Sequence, residues 1–303
     1  MTIVDVADAQ ARIASYIVGR ERELELTLAA VAAGRDIVLE GPPGTSKTTI
    51  LKAITHEWGI PLVFVEGNAD LTPAKLVGHH NPARVLREDY SADNFVAGPL
   101  VEAMQTGGFL YIEEFNRAPE DTLNTLLSAM ADRSIAVPRV GTIVAEPTFR
   151  VIASMNPYDN VGTTRLSTSV RDRLNRLAIG YQNVVEEQGI VALRTQSGGA
   201  LGEPLIVDAV AVTRATREHP DIRQGSSVRG AIDCVLVAGQ LAALRGVQSP
   251  SDEGYASLVY DAMVLSLSGR IHLDEAAETT PERVLREIWE DHFVLQPAAA
   301  APG

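Results

Sequence analysis

Apolar residues are distributed in two different patterns along this 303-residue chain. Over the first 180 positions, short apolar runs of strand length alternate with helical stretches. The candidate strands are Asp36 to Glu40, Leu62 to Glu66, Gly108 to Ile112, Phe149 to Met155 and Leu177 to Ile179. They are rich in Val, Ile, Leu and Phe without strict alternation. That is the mark of strands buried on both faces, as in a parallel sheet covered by helices on either side. From Pro119 to Met130, residues Leu123, Leu126, Leu127 and Met130 recur at i, i+3, i+4 and i+7, which predicts one apolar helix face. Ile135 to Val137 and Thr142 to Val144 flank a glycine and read as a hairpin ahead of the fourth sheet strand.

Beyond about residue 181 the pattern changes. Ser197-Gly198-Gly199 and Gly202-Glu203-Pro204 read as turns. Helical periodicity then dominates: Val207 to Glu218, Val228 to Leu244, Asp252 to Leu267 and Pro281 to Phe293. Thr280 followed by Pro281 supplies a cap and the proline that suits a first helical position. The tail, Gln296 to Gly303, offers no core-forming side chains and is expected to fray. The chain therefore reads as an α/β domain over 1–181, a smaller all-helical domain over 182–295 and a disordered tail over 296–303.

Composition narrows the function classes. With 26 Lys+Arg against 39 Asp+Glu the formal charge is −13, which disfavours a protein built to grip nucleic-acid backbones. The single cysteine, Cys234, allows neither an intrachain disulfide nor a cysteine-based zinc site. Its neighbours Ile232, Val235 and Leu236 predict a buried thiol. No run approaches the roughly 18 apolar residues of a membrane span, and no signal peptide is visible, so a cytoplasmic protein is expected.

Candidate chemistry clusters after the first strand. Gly41-Pro42-Pro43-Gly44-Thr45-Ser46-Lys47-Thr48 is a glycine-bearing loop entering a helix at Thr49. Such a loop presents backbone N–H groups and a positive helix end to a polyphosphate. Lys47 is placed to reach the β/γ-phosphates and the Thr48 hydroxyl to bind Mg²⁺. Ser46 stands where the usual pattern has glycine, and it fits there if its backbone angles are helical. The third strand ends in Glu113-Glu114, which are either two solvated acids after a strand or a catalytic pair, the first acid supporting the Mg²⁺ shell and the second polarising the attacking water. Glu113 is one methylene longer than the customary Asp. Asn156, at the end of the fourth strand, is either a γ-phosphate contact or a turn residue before Pro157. Arg171 and Arg173 are either surface charges or a finger reaching a neighbour's phosphate. Arg229 sits in the first turn of a helix, where a cation opposes the dipole, and is either a solvated arginine or the contact of an anionic partner such as phosphate. His79-His80 has no third ligand nearby in sequence and makes a weak metal candidate.

Taken in order, these pieces resemble the AAA+ ATPases and, more narrowly, the MoxR-like family. The signals are Val18-Gly19-Arg20-Glu21, Gly98-Pro99-Leu100, Glu114-Phe115-Asn116-Arg117-Ala118-Pro119, Asn156-Pro157 with Gly162-Thr163, and Asp172-Arg173. The resemblance runs from about Ile17 to Phe293. It implies an α/β P-loop NTPase fold with a five-stranded parallel sheet, followed by a helical lid. It also implies ATP held by Gly41 to Thr49, with Val18 and Gly19 lining the adenine site. By the same likeness Thr48 and Glu113 hold Mg²⁺, Glu114 is the base, Asn156 is sensor 1 and Arg229 is sensor 2. Arg173, or else Arg171, is the finger acting in trans. A hexameric ring follows from that finger. The segment Gly78 to Gly98 corresponds to an insert in the second helix region, and with the Ile135 to Val144 hairpin is expected at the ring's pore or top. Clients of the family are metalloenzymes or complexes needing maturation, often with a von Willebrand factor A domain partner. Two other readings stand beside this one: a nucleotide-gated scaffold of low turnover, and a DNA-acting motor, against which the charge weighs.

Overall fold

The computed structural model describes residues 6–14, 17–84, 92–157, 166–196 and 199–295. Gly162, Thr163, Ser197, Gly198, residues 85–91 of the Gly78–Gly98 segment and the tail from Gln296 lie outside the described residues. The chain divides into two units, Met1–Pro42 with Ser46–Gly180, and Pro43–Thr45 with Tyr181–Gly303.

The first unit is built on an all-parallel five-stranded sheet. Its strands are β1 (Ile37–Glu40), β2 (Leu62–Glu66), β5 (Phe109–Glu113), β8 (Arg150–Met155) and β9 (Asn175–Ala178), in the order β2-β5-β8-β1-β9. Alternate residues of each central strand enter different cores. Val38, Leu110, Ile112, Val151 and Ala153 pack with Leu100, Val101, Met104, Leu123 and Leu126. Ile37, Leu39, Phe109, Tyr111 and Ile152 pack with Leu24, Leu28, Ile50, Leu51 and Ile54. A strand covered on both faces has no polar side to show, hence the continuous apolar runs.

The outer strands depart from that expectation. Phe64 in β2 is 50% exposed, and Asn175 and Arg176 open β9 on the surface. β9 starts two residues before the expected Leu177 because its register with β1 (Ile37↔Asn175, Val38↔Arg176) is set by backbone pairing, which an exposed edge strand can form with polar side chains. Asp36, expected in β1, precedes it and serves another purpose. Its carboxylate accepts Val151 N–H at 2.7 Å and a forked contact from Arg133 at 3.0 and 3.2 Å. Arg133 also donates to the Gly34 carbonyl, and the buried Arg150 to those of Val31, Pro147 and Phe149. Charge, rather than apolar packing, therefore fastens the N-terminal ends of β1 and β8.

Two small antiparallel pairs flank the sheet. β6 (Ser134–Val137) and β7 (Gly141–Val144) form the expected hairpin, and β3 (Gly78–His80) pairs with β4 (Phe95–Ala97). The helix read from Pro119 runs Glu120–Ala131.

The second unit packs helices Val184–Arg194, Gly202–Ala215, Val228–Arg245, Tyr255–Leu267 and Pro281–Glu290 around Leu205, Val210, Cys234, Val235, Leu258, Met263 and Leu285. Gly202-Glu203-Pro204, read as a turn, is instead the first turn of a helix, where proline's missing N–H has no intrahelical partner to lose. The unit is also not wholly helical, because β10 (Ile222–Gln224) pairs with β11 (His272–Leu273). A carboxylate, Glu187, is buried in its interior at 2.9 Å from Arg214 and 2.8 Å from Arg217. The Arg217 guanidinium also donates to the Ser226 carbonyl at 2.7 Å and lies 3.9 Å from the Tyr181 ring centre. Cys234 is buried as expected, and burial pushes its thiol up to about 12. Among the described residues no helix is long and apolar enough to cross a membrane.

Candidate functional site

Three adjacent strands, β5, β8 and β1, end at the same edge of the sheet and deliver Glu113, Asn156 and Gly41 there. Gly41 is pinned by its N–H to the Met155 carbonyl at 3.1 Å. A Cβ at Gly41 would lie 2.0 Å from the Ile179 carbonyl oxygen, so only glycine lets the loop leave β1 at this angle. The Lys47 ammonium donates to the carbonyls of Gly41 and Pro42, both at 2.8 Å, and so closes the loop on itself. Within the loop Pro42 and Thr45 are buried, Pro43 and Thr49 are exposed, and Gly44 adopts φ +76°.

Ser46 corrects the sequence reading. It does not have helical backbone angles: φ is 66° and ψ 15°, in the left-handed region, and its side chain makes no capping hydrogen bond to the helix beginning at Lys47. The loop demands at this position the geometry that glycine provides elsewhere, and the serine adopts it regardless.

Glu113 closes β5, one residue later than the run suggested, in register with Glu66 of β2. The Thr48 hydroxyl donates to its Oε1 at 3.1 Å. A buried tyrosine completes this contact. The Tyr111 hydroxyl lies 3.0 Å from Thr48 Oγ1, 3.0 Å from Ser154 Oγ and 3.4 Å from Glu113 Oε1. Burial pushes the phenol above its ordinary value, and the neighbouring Glu113 carboxylate adds to this. Sequence reasoning passed over Tyr111 and Ser154. The available signal was strand spacing, since Tyr111 and Glu113 are i and i+2 and share a face.

Glu114 leaves the strand in a left-handed turn, φ 53° and ψ 42°, with its carboxylate 3.2 Å from the Arg117 guanidinium. Gly67 abuts this turn. Its N–H donates to the Glu113 carbonyl at 2.7 Å, and a Cβ there would lie 2.4 Å from the Glu114 carbonyl oxygen. Asn156 follows β8 and is half-buried. Val18 and Gly19 form the turn ahead of the helix Glu21–Ala32, with Gly19 at φ 63° and the buried Arg20 donating to the Gly180 carbonyl at 2.8 Å.

The remaining candidates are carried by other elements. Arg171 and Arg173 are exposed on the short helix Thr168–Arg173, and Arg173 donates to the Ser169 carbonyl of the same helix. Arg229 belongs to the second unit, exposed in the first turn of the helix Val228–Arg245. His80 packs edge-on against Phe95 in the β3–β4 hairpin, and no group of three metal-ligating side chains occurs among the described residues.

Residues 36–174 match the AAA domain (dynein-related subfamily) family. The denitrification regulatory protein NirQ of Stutzerimonas stutzeri is 30% identical over 200 residues, covering 65% of this chain and 69% of its own. The gas vesicle ATPase GvpN of Ancylobacter aquaticus is 27% identical, covering 87% and 76%. Chaperone MoxR1 of Mycobacterium tuberculosis is 26% identical, covering 95% and 86%. In fold, the chain is like the Thermotoga maritima RuvB Holliday junction branch migration motor, with a TM-score of 0.53 at 18% identity over 82% of this chain and 70% of that one. A phosphate loop facing paired acids at the edge of a parallel sheet, a helical second unit and these relatives lead to one assignment: the chain belongs to the MoxR-like family of AAA+ ATPases and is an ATPase.

Proposed function

We propose that the chain hydrolyses Mg²⁺-bound ATP at the edge formed by β1, β5 and β8, and uses the cycle in an oligomeric ring to remodel a partner protein. The observation that carries the site assignment is the hydrogen bond from Thr48 to Glu113, which joins two segments 65 residues apart. The donor set fits Mg²⁺, because it consists of hard oxygens and the Thr48 proton already goes to Glu113, leaving a lone pair of Oγ1 for a metal. When bound, Mg²⁺ neutralises charge on the β- and γ-phosphate oxygens. Lys47 exchanges its two carbonyl acceptors for the phosphates, and the loop's N–H groups orient them. Glu114 takes the proton of the attacking water as general base, once its carboxylate is free of Arg117. Asn156 orients that water. Arg229 responds to the γ-phosphate, Arg173 or Arg171 acts as the finger in trans, and Val18 and Gly19 receive the adenine.

Hydrolysis of ATP by the purified protein is expected to fall about a hundredfold or more in Glu114→Gln, and equally in Lys47→Ala. Undiminished activity in both variants overturns the assignment. The likeness to Chaperone MoxR1 supports a remodelling role; beyond it, the proposal takes a metalloenzyme or protein complex as client, a von Willebrand factor A domain protein as adaptor and a cytoplasmic hexamer as the working form. Particle imaging with ATP tests the six-membered ring, and a ring of other size refutes that count. A second reading, a low-turnover nucleotide-gated scaffold, draws on the Glu114–Arg117 ion pair and the left-handed Ser46. Tight ATP binding with no multiple turnover, even with a partner present, decides for it.

A further inference from the structure

Tyr111 is a costly residue at its position. Its side chain is fully buried, its ring belongs to the core with Ile37, Leu39, Ile50 and Ile152, and Phe64 packs edge-on against it at 5.7 Å. A phenylalanine fills such a site without desolvating a hydroxyl, so packing alone does not account for a tyrosine. The hydroxyl ends among three oxygens carried by three elements: Thr48 at the start of the phosphate-loop helix, Glu113 at the end of β5 and Ser154 in β8.

The proton count gives these contacts a direction. Thr48 donates to Glu113 Oε1, and the phenol then has its own proton for Glu113 Oε1, the Thr48 oxygen or the Ser154 oxygen. Glu113 has one more rotatable bond than the aspartate it replaces, so its carboxylate needs an additional restraint to meet Thr48 in a fixed geometry.

We infer that Tyr111 is a positioning residue for the metal-binding pair, its hydroxyl holding Thr48 Oγ1 and the longer Glu113 side chain in one arrangement from a rigid, buried ring. The inference rests on the reading of Thr48 and Glu113 as that pair. The effect of Tyr111 is on metal affinity rather than on nucleotide affinity, as for other groups that orient ligands from behind.

The test uses the full chain with ADP and Mn²⁺, whose bound fraction is read directly by electron paramagnetic resonance. In Tyr111→Phe the Mn²⁺ dissociation constant is expected to rise about tenfold. Binding of a fluorescent ADP analogue in excess EDTA stays within about twofold, and the melting temperature is unchanged. Wild-type Mn²⁺ affinity in Tyr111→Phe overturns the inference, as does an equal loss of nucleotide binding in EDTA. Thr48→Val separates this inference from the reading beneath it. If Thr48→Val loses Mn²⁺ and Tyr111→Phe does not, the inference alone fails; if Thr48→Val binds Mn²⁺ normally, the metal-pair reading fails and takes the inference with it. Should Tyr111→Phe not fold, Ser154→Ala keeps the phenol and withdraws its other partner. It is expected to weaken Mn²⁺ about threefold, and an unchanged constant there is equally adverse.

Discussion

Ser46→Gly is expected to stabilise this protein, against the usual direction for a substitution that removes a side chain. At φ 66° and ψ 15° the serine Cβ crowds the following carbonyl oxygen, a conformation that costs an L-residue about 1–2 kcal/mol. The ordinary compensation for serine ahead of a helix, a hydroxyl capping the first N–H groups, is worth about 1 kcal/mol and is not made here. Glycine removes the crowding but gives the unfolded chain more freedom, which offsets about 0.5–1 kcal/mol. The balance is a gain of about 0.5–1 kcal/mol, or about 1–3 °C in melting temperature for a unit of this size. Urea unfolding of a series at this position gives the sharpest measurement. Stability is expected to fall in the order Gly, then Ser and Ala together, then Val, whose branched side chain suits positive φ worst. Activity of Ser46→Gly stays at or above the parent level, since the loop donates through its backbone. If Ser46→Ala proves as stable as Ser46→Gly, the reasoning is refuted, because the two variants differ only in the Cβ held at positive φ.

Asp36→Asn is expected to cost about 1–3 kcal/mol, because the amide offers one acceptor oxygen where the carboxyl serves both the Arg133 fork and the Val151 N–H. Burial raises the Asp36 carboxyl above its usual 3.8, so the folded chain holds that proton more tightly than the unfolded one. The stability this group carries is therefore full below 3.8 and declines as pH rises through the raised value. The gap between parent and variant in urea unfolding narrows with rising pH; a widening gap contradicts the assignment. Glu187→Ala strands Arg214 and Arg217 and is expected to lower the stability of the second unit by about 3–5 kcal/mol, read as an earlier unfolding transition. Cys234 is expected to resist a thiol reagent at about pH 8 until the chain unfolds, and rapid labelling of the native protein refutes its burial. Gly67→Ala pushes on the Glu114 carbonyl and is expected to reduce kcat about tenfold with little change in KM for ATP. A variant that instead raises KM alone places the effect on nucleotide binding.

The central strands were legible because each is buried on both faces, so apolar content alone marks them. β9 was only half legible, since an edge strand such as Asn175–Ala178 is specified by pairing with β1 and has little side-chain signature. The β10–β11 pair, of three and two residues, is too short for any period to emerge. Gly202-Glu203-Pro204 carries turn chemistry, yet the first turn of a helix tolerates it, and composition does not distinguish the two. In the site, Lys47, Thr48, Glu113 and Glu114 were readable because phosphate and metal chemistry fixes residue type and spacing together. Tyr111 was not, because in a strand of Phe, Leu and Ile it reads as one more core residue, and only tertiary packing reveals its hydroxyl's neighbours. The backbone angles of Ser46 escaped for a related reason. A loop's φ is imposed by the whole strand–loop–helix path, and the identity of one residue does not record it.

The left-handed turn at Glu114 bears on how this protein can be engineered. Ser46 and Glu114 both hold backbone angles that suit glycine, and a procedure that ranks substitutions by local fit flags both for replacement. At Ser46 that advice is sound. At Glu114 the same advice gains stability by removing the carboxylate to which catalysis is assigned, so selection for heat resistance alone favours an inert protein. Libraries built on this scaffold therefore need Glu114 held fixed while Ser46 varies.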